Sequence, residues 1–191
     1  MLAYIFWHWP AQQTDITIYQ QRLLDFHRVL AAHRSVGFEY SRVLAMQQAP
    51  WLERSAITYE DWYIVENSAA LDPLDERAVS GPCLEPHNQI ARLTENGTGG
   101  LYRLRSGAVR PPVVRFAYRF AKPAGMAYTT LYDLLQPFAQ QDNGALWQRQ
   151  LTLGPAPEFC LHGAAEIELP PVLQALEVPV TQLWLSESQE S

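Results

Sequence analysis

Lysine is almost absent from this chain. Lys122 stands alone beside thirteen arginines, which makes Schiff-base chemistry on a lysine amine a poor expectation. Charge is sparse, at 18% of 191 residues with a net of −6, and no basic cluster occurs. A nucleic-acid backbone therefore finds no electrostatic footprint here. Cysteine is scarce as well. Cys83 and Cys160 fall one in each half, which fits reduced thiols in a cytoplasmic protein better than a disulfide framework. The five histidines form no HxH or HExxH, and no CxxC occurs, so no metal site is expected. The chain also lacks GxGxxG, a P-loop and a GxSxG elbow, which leaves nucleotide binding and acyl hydrolysis unsupported and no cofactor indicated. Met1–Pro10 is apolar but has no basic n-region or cleavage site and is too short to span a bilayer. It reads as a buried first strand, and no membrane partner is expected.

Apolar residues make up 48% of the chain and aromatic residues 12%, enough for one large or two small packed domains ahead of a polar tail, Ser186–Ser191. The order strand, helix, strand, strand, helix, strand occurs twice. In the first copy the strands are Leu2–Trp9, Phe38–Met46, Asp61–Asn67 and Leu101–Arg105. A helix capped by Thr14 or Asp15 places Ile16, Tyr19, Leu23, Phe26 and Leu30 at helical spacing. Ser68 opens a second helix through Val79, and Pro86 suits the first turn of a third. Gln47–Ser55 reads as a loop, and Gly97–Gly100 as a turn rather than a used glycosylation sequon. Gly107 to Pro112 marks a boundary. The second copy has strands Val113–Ala121, Ala145–Leu153, Glu158–His162 and Val180–Leu185, with helices at Tyr128–Phe138 and Ile167–Leu176.

A βαββαβ unit makes a four-stranded antiparallel sheet with helices on one face. The other face needs a cover, which a second unit can supply. In this layout the chain resembles the dimeric α/β-barrel superfamily in a fused form. The resemblance implies an α+β fold of two ferredoxin-like βαββαβ repeats, residues 1–107 and 112–186, packed sheet to sheet. It also implies a small hydrophobic or aromatic ligand and a cofactor-free oxidation or isomerisation. The rival expectation is a non-catalytic structural or regulatory module without a ligand. A fused pair can be complete as a monomer, although open sheet edges can recruit a second copy as a homodimer.

Strand alternation sorts the candidate residues. His8 shares a face with Tyr4 and Phe6, and its ordinary titration range near neutrality suits proton transfer, with Glu66 as catalytic partner. The plain alternative is a histidine that bonds a backbone carbonyl. Tyr4 of the first strand and Trp62, Tyr63 and Asn67 of the third, together with His87 after Pro86, are the expected ligand-binding neighbours. Arg115 and Arg119 share a face and, if they point inward, need an anion or an internal ion pair. His27 borders an apolar stripe and reads as structural. The first copy holds the denser set of Trp, Tyr and His, so the pocket is expected in the N-terminal half.

Overall fold

The computed structural model describes residues 1–53, 56–151 and 154–187. Three expectations reach outside the described residues: the end of the loop Gln47–Ser55, the end of the strand Ala145–Leu153, and residues 188–191 of the polar tail. The elements run β1 (Leu2–Pro10), α1 (Ile16–Ala32), β2 (Phe38–Met46), β3 (Thr58–Val65), α2 (Leu71–Ala78), α3 (Leu84–Leu93) and β4 (Thr94–Gly107). The C-terminal half adds β5 (Phe116–Phe120), α4 (Tyr128–Gln140), β6 (Ala145–Gln150), β7 (Phe159–Gly163), β8 (Leu176–Pro179) and β9 (Thr181–Leu185). No helix among the described residues is long and apolar enough to cross a membrane.

The fold is α+β, built on one antiparallel sheet in the order β8-β5-β7-β6-β4-β1-β3-β2-β9. The two halves are therefore hydrogen-bonded edge to edge, through β4 with β6 and β2 with β9, and are not two separate sheets laid face on face. The end strands β8 and β9 are consecutive in the chain with only Val180 between them, so the sheet curves back towards its own beginning. The inner face carries a mixed core of Ile5, Trp7, Trp62 and Ile64 from one half and Ala117, Trp147, Cys160 and Val178 from the other. The outer face packs against α1, α2 and α3 in one half and α4 in the other. Each large side chain buried this way contributes roughly 2 kcal/mol of transfer free energy.

Local chemistry explains the elements that frame the site. Asp15 caps α1 by accepting from the backbone N–H groups of Thr17 and Ile18 at 2.7 and 3.1 Å. The helix buries Tyr19, Leu23, Phe26, His27 and Leu30, at the spacing of one helical face. Strand β4 begins at Thr94 and runs through Gly97–Gly100, where a turn was expected. Its glycines serve close approach. A Cβ on Gly97 would collide with the Phe6 ring, and one on Gly99 would lie 2.8 Å from the Tyr4 hydroxyl. Those two aromatic rings therefore lie across β4.

The C-terminal half departs from the expected second copy. No α-helix forms over Ile167–Leu176. Pro171–Leu173 make a single 3-10 turn that ends at Gln174 with φ 46°. Adjacent prolines there remove two backbone donors, which leaves a helix too few hydrogen bonds. An additional strand, β8, precedes the expected final strand, and Val180 passes the chain from pairing with β5 to pairing with β2.

Candidate functional site

A cavity of about 860 Å³ lies between the sheet of the N-terminal half and its helices. Its floor is Tyr4, Phe6 and His8 of β1, Asp61 and Tyr63 of β3, and the glycines of β4. Leu23 and Phe26 of α1, Leu74 of α2 and Ile90 of α3 form apolar walls, and His87 faces the same space. A largely apolar concavity with few polar groups is the ordinary form of a small-molecule site.

The polar centre is Asp61, which is 3% exposed. His8 Nε2 and His27 Nε2 lie 3.1 and 3.2 Å from its Oδ2. These are ion-pair distances, although neither ring nitrogen lies on the line of a straight hydrogen bond. The Tyr63 hydroxyl donates to the same oxygen at 3.2 Å. Burial on its own raises the Asp61 carboxyl, but the two adjacent imidazoles more than offset it and hold Asp61 well below the usual carboxylate range. Its other oxygen, Oδ1, is buried without a partner. Burial, and then the negative Asp61, push the Tyr63 phenol well above its ordinary value, so Tyr63 stays a donor.

A hydroxyl meets the outer nitrogen of each ring. Trp184 Nε1 of β9 can only donate, and it does so to Ser41 Oγ at 3.1 Å. Ser41 Oγ lies 2.9 Å from His27 Nδ1, within hydrogen-bond reach. On the other side, His8 Nδ1 lies 2.5 Å from the Tyr19 hydroxyl, which is 3.0 Å from Thr94 Oγ1. Thr94 Oγ1 also donates to the Ile90 carbonyl at 3.0 Å. With Thr94 donating to Ile90, Tyr19 donates to Thr94 and His8 Nδ1–H donates to Tyr19. With the Thr94 hydroxyl turned to Tyr19, Tyr19 donates to His8. The two arrangements differ in whether His8 Nδ1 donates to Tyr19 or accepts from it.

The other sequence candidates fall in different places. His8, Tyr4, Tyr63 and His87 line the cavity. Glu66 does not meet His8: it is exposed beyond the end of β3, whereas His8 pairs with Tyr59 near the strand's start. The carboxylate beside His8 is Asp61. Asn67 caps the turn that follows β3 and is exposed. Trp62 points to the opposite face of the sheet, against Trp147 and His162 with ring centroids 5.3 and 4.6 Å away. Arg115 is exposed. Arg119 is fully buried on the inner face and forms an ion pair with Glu60, which also accepts from the indoles of Trp7 and Trp62. That ion pair joins the two halves across the interior.

Asp61 and His27 were not among the expected site residues. The available signal was alternation, which places Asp61 on the Tyr63 face as the one charged residue of that row. For His27, an apolar helix boundary gave no hint of a carboxylate opposite. Two imidazoles and a carboxylate match the composition of a non-haem iron site. Among the described residues, however, no group of three His, Cys, Asp or Glu is arranged to hold an ion.

No family model and no curated protein sequence matches the chain. Two solved structures share its fold. One is a protein of Fusobacterium nucleatum subsp. nucleatum ATCC 25586, provisionally named a monooxygenase, with a TM-score of 0.65 and 10% identity over 98% of this chain and 94% of that one. The other is a protein of Lactobacillus acidophilus NCFM with the same provisional name, a TM-score of 0.62 and 9% identity over 98% of this chain and 96% of its own. At such identity the likeness establishes that this chain has the same fold as these proteins.

Proposed function

We propose that the chain is a fused dimeric α/β-barrel protein, with ferredoxin-like repeats at 1–107 and 112–186. Its N-terminal repeat binds a small aromatic molecule bearing a hydroxyl or an enolisable carbonyl and oxidises it without a cofactor. The carrying observation is Asp61. A buried carboxylate with one oxygen engaged by two histidines and a tyrosine leaves its other oxygen without a partner beside an apolar cavity. Such an oxygen calls for a donor, and a ligand hydroxyl is one. The architecture reading rests on strand order, since β4-β1-β3-β2 and β8-β5-β7-β6 repeat one pattern. The two provisional monooxygenases of the same fold support the reaction class.

In this reading the substrate oxygen meets Asp61 Oδ1, and Tyr4 and Tyr63 flank the ring. His8 changes protonation as the substrate loses its proton, and the Thr94–Tyr19 pair turns its hydroxyls to match. Asp61 compensates the imidazolium that forms. Dioxygen is the co-substrate. A ring methylene gives up two hydrogens and gains one oxygen as a carbonyl, and the second oxygen leaves as water, so no external reductant enters. The test is oxygen uptake with dithranol, a hydroxylated anthrone. We expect uptake above the spontaneous rate that is lost in His8→Ala. No acceleration by the wild-type protein overturns the reading.

A further inference from the structure

Resting on that reading, we infer that the ligand carries a protonated amine at its outer end and no carboxylate, sulfate or phosphate. The charges around the cavity point this way. Its lining holds Asp61 at the floor and Asp72 and Asp75 on α2, with no lysine or arginine among the described residues. Asp72 and Asp75 lie three residues apart, so one helix face presents both carboxylates. Both are exposed, and among the described residues neither has an ion pair or a side-chain hydrogen bond. Asp72 sits in the first turn of α2, where the helix dipole favours an acid. Asp75 has no such role. It lines the cavity together with Tyr4, whose phenol is raised by burial and then by Asp75.

The second observation lies deeper in the same cavity. Asp61 is 97% buried, with Oδ1 unpartnered. An anionic ligand end would therefore meet carboxylates at both ends, with no lysine or arginine among the described lining residues to receive it. An amine at the mouth meets Asp72 and Asp75, and a hydroxyl at the floor meets Asp61. The ring between them faces Tyr4, Phe6, Phe26 and Tyr63. The residues thus favour a hydroxylated aromatic amine.

Three probes separate this inference from the reading beneath it: naphthol, aminomethyl-naphthol and carboxymethyl-naphthol, titrated against the full chain by calorimetry. The aminomethyl compound should bind about five- to tenfold tighter than naphthol, as expected for exposed charge pairs, and the carboxymethyl compound more weakly than naphthol. Added salt should shrink the amine's advantage. In D72N/D75N the amine and naphthol should have the same Kd. If naphthol binds and Asp61→Asn weakens it, but the three probes are equal or the carboxylate binds best, the charge inference fails and the pocket reading stands. If none of the three binds, both fail.

Discussion

His8 and His27 meet at one oxygen. They come from β1 and α1, and Asp61 Oδ2 on β3 lies 3.1 and 3.2 Å from their Nε2 atoms. Three separate elements thus converge on one buried charge, and each ring's outer nitrogen is held by a hydroxyl, Tyr19 for His8 and Ser41 for His27. Asp61→Asn keeps the shape but removes the charge that both rings face. Dithranol oxidation should fall about 100-fold, the scale of a lost acid–base partner. Urea unfolding should show a loss of about 2 kcal/mol, the scale of an impaired buried hydrogen-bond set.

Acid stability should carry two signatures. In the fold Asp61 stays ionised far below the value of 3.8 that it has when unfolded. Below about pH 4 the unfolded chain binds the extra proton, so the stability from this group, complete above that pH, is lost as pH falls. His162 is driven well below its ordinary 6.5 by burial, and then by Arg42 and Arg119, so it stays neutral in the fold. The unfolded chain takes up that proton from about pH 6.5 downward, so stability is lost there too. Urea midpoints measured against pH should flatten near pH 5 to 6 in His162→Phe and below about pH 4 in Asp61→Asn.

The two faces of the sheet should answer differently to substitution. Trp62 is 1% exposed and packs inside, away from the cavity. Trp62→Phe should lower stability by about 1–2 kcal/mol through lost packing and the lost indole donor to Glu60, and leave naphthol affinity unchanged. Gly99→Ala should do the reverse. Its new Cβ meets the end of the Tyr4 side chain, which can swing into the cavity. Naphthol affinity should drop about tenfold, with a stability change within about 1 kcal/mol. Calorimetry and urea melts on the same two variants check both halves.

Part of this was legible in the chain. The α+β class, the buried aromatic β1 and the apolar face of α1 follow from periodicity and composition. The partner of His8 did not. Alternation gives faces but not register, and it is the β1–β3 register that sets His8 near Asp61 instead of Glu66. The faces of Trp62 and Arg119 were also unassigned, because a strand covered on both sides shows no polar row. The missing second helix of the C-terminal half shows Pro170 and Pro171 prevailing over an apolar pattern of helical spacing.

Chelation tests the composition of the centre. Each histidine already has Asp61 Oδ2 on one nitrogen and a hydroxyl on the other. Dithranol oxidation should therefore survive exhaustive treatment with EDTA. Loss of activity, with recovery on adding ferrous iron, would instead place an ion among His8, His27 and Asp61.

The most direct test follows the imidazole nitrogens by NMR in a protein with labelled histidine as naphthol is added. Five ring systems report, and they occupy different surroundings. His8, His27 and His87 should shift together and saturate, since they line the cavity or share Asp61. His162 inside the sheet and His33 at the end of α1 should stay still. Movement of His162 while His8 and His27 remain fixed would put the ligand on the wrong side of the sheet and contradict the account.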